Sequence, residues 1–117
     1  MELMDTILGR RSVRRYQDRE VPREVLEELL AMDAPIIGIG LDSAEVGNPP
    51  SSFMELYSRA RKAGLRTVAH AGEEGPSHYI EQALDLLQAD RIDHGIRCLD
   101  DPDLVDRLVR EQVPLTV

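Results

Sequence analysis

The chain has no tryptophan and only four other aromatic residues, Tyr16, Phe53, Tyr57 and Tyr79. Its interior must therefore be built from Leu, Ile, Val, Ala and Met, which fill space but fix packing less sharply than large rigid anchors. A single cysteine, Cys98, excludes an intrachain disulfide. It has no partner motif for nucleophilic work, and as a small apolar residue it suits a strand–helix connection. No stretch approaches the ~20 apolar residues of a membrane span. The N-terminus interrupts its apolar residues with Glu2, Asp5 and Arg10, and so lacks the apolar run of a signal peptide. A cytoplasmic setting is expected. Basic residues are also short: 14 Lys and Arg face 22 Asp and Glu, a net charge of −8, which argues against nucleic acid or anionic membrane as partners. The deficit is uneven, since residues 1–32 carry six Arg against seven acids and the remainder carries most of the excess. Finally, 117 residues suffice for one domain but not for a complete eight-fold β/α barrel of roughly 250.

Within this frame the apolar periods alternate. Leu3, Met4, Ile7 and Leu8 mark a short helical segment, and SVRRYQDRE an extended connection. Pro22 opens a second helix with the stripe Val25, Leu26, Leu29 and Leu30, closed by Asp33-Ala34-Pro35. IIGIGL (36–41) is a continuous apolar run, expected of a strand buried on both faces. Its GIG lies inside the strand rather than after it, so it is no nucleotide fingerprint. Helices are then expected at about 52–62, 77–88 and from Asp101-Pro102 to about 111, with strands at 67–70, 91–95 and 113–117. The last helix carries Leu104, Val105, Leu108 and Val109 on one side. Strand–helix alternation implies parallel strands with right-handed crossovers. The expected fold is α/β, a (βα)3β sheet close to half a barrel. All its helices lie on one face, leaving an apolar face bare, and the N-terminal helical segment is expected to cover it. Two chains burying those faces against each other is the alternative.

Four blocks, GIGLDSAEVGNPPSSF, VAHAGEEGP, RIDHGIRCLDDP and VPLTV, resemble the adenosine/adenine deaminase family in family order, nearer its adenine-specific branch. The resemblance spans about residues 34–117. It implies that His70 is a zinc ligand, that Glu73 donates a proton to the purine ring nitrogen, and that His94 orients the attacking water. Ser43 and Glu45 match a loop lining the base pocket. Reading the residues alone agrees on placement: His70, Glu73 and His94 follow strand C-terminal ends, where sites of parallel α/β folds lie. A neutral imidazole suits zinc, and a nearby carboxylic acid can protonate a ring nitrogen. The family's metal site also uses a His-x-His pair and an Asp, and this chain has neither. His78, the remaining histidine, matches no ligand position. One ligand of four is left, whereas catalytic zinc normally has three.

The first 32 residues, with MDTILGRRSVRRYQDREVPREVLEELL, resemble the start of flavin-dependent nitroreductases. That resemblance places Arg10, Arg11, Ser12 and Arg14 against a flavin phosphate, a task guanidinium forks suit. The expectation is thus a chimera joined near Met32–Pro35, without intact enzymatic activity or cofactor. The end at Val117, inside a strand, is read as favouring construction or selection. Two alternatives stand beside it: an incomplete zinc-dependent purine deaminase needing complementation, and a weak phosphate- or flavin-binding module. Unprotected sheet edges lead to the expectation of a homodimer.

Overall fold

The structure is a computed structural model that describes residues 27, 28, 31, 36–42 and 44–117. Four strands form one sheet in the order β1 (Gly38–Leu41), β2 (Arg66–Ala71), β3 (Arg91–His94), β4 (Leu115–Thr116), all parallel. Helix α1 (Met54–Lys62), preceded by a 3-10 turn at Pro50–Phe53, joins β1 to β2. Helix α2 (Ser77–Asp85) joins β2 to β3. A 3-10 turn at Ile96–Asp100 and helix α3 (Pro102–Arg110) join β3 to β4. This is the expected (βα)3β half-barrel, with strand and helix ends displaced by a few residues. The third helix starts where Asp101 and Pro102 require: the Asp101 carboxylate accepts from the Asp103 and Leu104 amides at 3.1 and 3.3 Å, and proline fills the first turn.

The core lies between the helices and one face of the sheet. Tyr57, Ile80, Leu87 and Ile92 are its largest buried side chains, joined by Leu104, Leu108 and Cys98. Ala69 and Ala71 on β2, with Ala83 on α2, are fully buried, and their small size lets helix approach sheet. Each large aliphatic removed from water contributes about 1.5–3 kcal/mol. Tyr57 keeps its hydroxyl satisfied by donating to the Val68 carbonyl at 2.5 Å. At the N-terminal edge of the sheet the Thr67 amide donates to Asp90 Oδ2 at 2.8 Å, tying β2 to the approach of β3. Arg107 of α3 bridges to Asp85 of α2 at 2.6 Å, locking neighbouring helices.

Three expectations need correction. The run IIGIGL is not buried on both faces: Ile37 is 83% exposed and Gly40 is exposed. Only Ile39 and Leu41 reach the core, because β1 is a sheet edge with helices on one side. The stripe on α3 is Leu104, Val105 and Leu108, since Val109 points to solvent. Most consequentially, the face away from the helices is not apolar. The strand register places Gly38, Gly40, Val68, His70, Arg91, Asp93 and Thr116 there. Glycines and polar groups leave little apolar surface for a covering layer to bury. The helical segment expected to cover it lies largely outside the described residues. Glu27, which is described, pairs at 2.6 Å with Arg59 of α1, on the helical layer.

Candidate active site

Parallel strands present their C-terminal ends along one edge, and β2 and β3 bring two histidines there side by side. The His70 and His94 rings meet edge-on with centroids 4.7 Å apart. Glu73, two residues past the end of β2, reaches back so that its Oε2 lies 3.4 Å from His94 Nε2. Ligating atoms of His70, Glu73 and His94 all fall within 4.8 Å of one another. The structure thus unites the three residues that the sequence singled out, and leaves His78 aside at the start of α2 against the Tyr79 ring.

The backbone at this edge is unusual in the same places. His94 and Gly95 both adopt left-handed conformations, with φ of 70° and 71°. For histidine that conformation is uncommon and costs on the order of 1–3 kcal/mol. It turns the His94 ring out of the strand's alternation and towards Glu73. Gly72 is also left-handed, and a Cβ there would meet Ile80 Cδ1 at 2.5 Å. Only glycine allows β2 to turn so tightly over α2.

Two further carboxylates support the cluster: Asp93, which sequence reasoning missed, and Glu45, which the resemblance placed in a pocket-lining loop. Asp93, 18% exposed, faces His70 Nε2 at 3.6 Å. Partial burial works against its ionisation, but bonds from Arg91 and Thr116 and the charges of Arg91 and His70 prevail and hold the carboxyl below its ordinary value. Its neighbourhood to His70 could have been suspected from strand alternation, which puts both on one sheet face. Glu45 departs from expectation more. It is 7% exposed and its carboxylate accepts backbone N–H groups from the turn after β2. Oε1 takes the Gly72 amide, and Oε2 takes those of Glu73 and Glu74 at 3.0 Å each. Burial raises its pKa, yet these bonds, with a further one from Gly75, outweigh it and leave the group lowered. The resemblance singled out Glu45, but nothing in the sequence shows that its partners are amides 27 to 29 residues away. Ser43, Arg10, Arg11, Ser12 and Arg14 lie outside the described residues. Cys98 is buried, and burial, with the Asp100 charge, pushes its thiol up, away from reactivity.

Comparison with known proteins places the chain in a family. The profile of the family described as "Adenosine deaminase" matches residues 8–117. An adenine deaminase of Geotalea uraniireducens is 54% identical over 103 residues, covering 88% of this chain and 29% of that protein. Among solved structures, the adenine deaminase of Arthrobacter aurescens aligns with a TM-score of 0.79 and 72% identity, over 80% of this chain and 29% of its own. An amidohydrolase of Burkholderia ambifaria, solved with bound Zn, aligns with a TM-score of 0.76 and 41% identity, over 80% of this chain and 26% of its own. The chain thus spans less than a third of the length of these relatives. These matches overturn the chimera. A junction at Met32–Pro35 would leave 84 residues for a deaminase-like segment from residue 34, yet the relative aligns over 103 and the profile begins at residue 8. No nitroreductase-like portion is found in these matches. A short, arginine-rich helical lead is too common a composition to carry that assignment.

Proposed function

The chain belongs to the adenosine deaminase family, and from that premise we propose that it carries the proton-handling part of a zinc-dependent adenine deaminase site. The convergence of His70, Glu73 and His94 within 4.8 Å at the C-terminal edge of the sheet carries this reading. The His70 imidazole suits zinc, because a neutral, partly exposed imidazole is one of its ordinary protein ligands. His70 is the residue that would hold the ion, together with ligands this chain does not contain. When bound, zinc supplies a Lewis acid that makes water a nucleophile at neutral pH.

The chain's own residues do the rest. Adenine loses its exocyclic amine when water adds at the carbon bearing it, so a proton must reach the ring nitrogen and another the departing ammonia. Glu73, half-exposed beside His94, delivers the first as a general acid. His94, with its ring turned out by the left-handed backbone, holds the attacking water by hydrogen bonding and takes its proton. Asp93 fixes the orientation of the His70 ring from the sheet face.

The missing His-x-His pair and Asp make complementation the test. The purified chain is mixed with the remaining portion of a relative's barrel, zinc and adenine, and released ammonia is measured. Turnover in the mixture and none from either part is the expected result. An assembled, zinc-loaded complex that releases no ammonia would refute the proposal.

A further inference from the structure

We infer that Glu45 is a positioning residue that aims Glu73, by clamping the backbone of the turn from which Glu73 projects. The inference rests on the reading of Glu73 as the proton donor. Glu73 is about half exposed, so packing does not hold its side chain, and its direction depends on where its backbone is anchored. That anchor is the Glu45 carboxylate, which accepts the amides of Gly72, Glu73 and Glu74. One acceptor group satisfying three successive amides makes a rigid anion nest out of a turn that would otherwise depend on water. The fit is close on the far side as well: a Cβ on Gly75 would lie 2.8 Å from Glu45 Oε1 and 2.6 Å from Tyr79 Cδ2. Glu45 itself comes from the loop after β1, so the clamp also couples neighbouring strand ends across the candidate site. A pocket-lining role would need its carboxylate free for a ligand, and here its oxygens are spent on backbone.

The test compares Glu45→Gln with Asp90→Asn in the whole chain. Asp90 accepts the Thr67 amide at the opposite edge of the sheet, so its variant loses a comparable acceptor away from the site. Amide hydrogen exchange at Gly72, Glu73 and Glu74 and the ring resonances of His94 are read by NMR at near-neutral pH. Glu45→Gln is expected to lower protection of those three amides by about tenfold and to shift the His94 signals. Asp90→Asn is expected to leave both unchanged. If Glu45→Gln does not fold, Gly75→Ala, which displaces the carboxylate without removing it, is read the same way. In the complemented enzyme Glu45→Gln should lower kcat with KM little changed. Unaltered amides and His94 signals in the Glu45 and Gly75 variants would overturn the inference, as would equal changes in Asp90→Asn. Absence of turnover in the unmutated complex would count against the deaminase reading instead, and leave the NMR comparison to judge Glu45.

Discussion

At the scale of single residues, the candidate site combines backbone strain with carboxylates held ionised. His94 sits at a φ of 70°, a conformation that glycine adopts freely. His94→Gly should therefore raise stability by about 1 kcal/mol, seen as a higher denaturation midpoint, while removing the ring proposed to hold water. An unchanged or lower midpoint would mean that ring contacts outweigh strain. Glu45 titrates below its ordinary value because backbone donors overcome burial. The unfolded carboxylate thus binds protons more readily, and Glu45 stabilises the fold fully above the ordinary glutamate range. That contribution is lost as pH falls below about 4.3 and through the depressed folded value. Chemical denaturation across that window should show a shallower acid loss in Glu45→Gln than in the unmutated chain. The placement of His70, Glu73 and His94 was legible in the sequence because short motifs set them at strand ends. Asp93 beside His70 follows from strand alternation once the register is known, whereas the backbone partners of Glu45 leave no trace in linear order.

At the scale of elements, the turn from β2 into α2 is the tightest constraint. Gly72→Ala would force a Cβ to within 2.5 Å of Ile80 and into a left-handed conformation. A loss of about 1–3 kcal/mol in urea unfolding is expected; a neutral outcome would show that Ile80 yields. Helix and strand order was legible from apolar periods, and the fault lay in assigning faces. β2 alternates Thr67, Ala69 and Ala71 inward with Val68 and His70 outward. Alanine inward and valine outward invert the size contrast on which a facing argument depends. Likewise the glycines of GIGL read as apolar, although Gly38 and Gly40 simply leave room on the open face. The helical segment expected to cover that face lies largely outside the described residues.

At the scale of the whole molecule, the residues form three βα units and a fourth strand of a barrel whose relatives are more than three times as long. The misreading as a chimera came from weighing a short lead separately, where a match running from residue 8 to 117 treats the chain as one piece. Both edge strands, β1 and β4, have one unpaired side among the described residues, and such edges recruit further strands. Light scattering of the isolated chain should give a mass above the 13.1 kDa of a single copy, and with the rest of the barrel supplied the mass should correspond to one copy of this chain per complex. A mass of one copy at all concentrations would show that the edges are protected. Among the described residues, no helix is long and apolar enough to cross a membrane.

The most direct measurement is the initial rate of ammonia release from adenine by the complemented chain, with Glu73→Gln compared against the unmutated chain at equal zinc content. If Glu73 is the proton donor, the rate should fall by about 100-fold or more, with zinc binding and assembly intact. A Glu73→Gln complex that works at the unmutated rate would contradict the account.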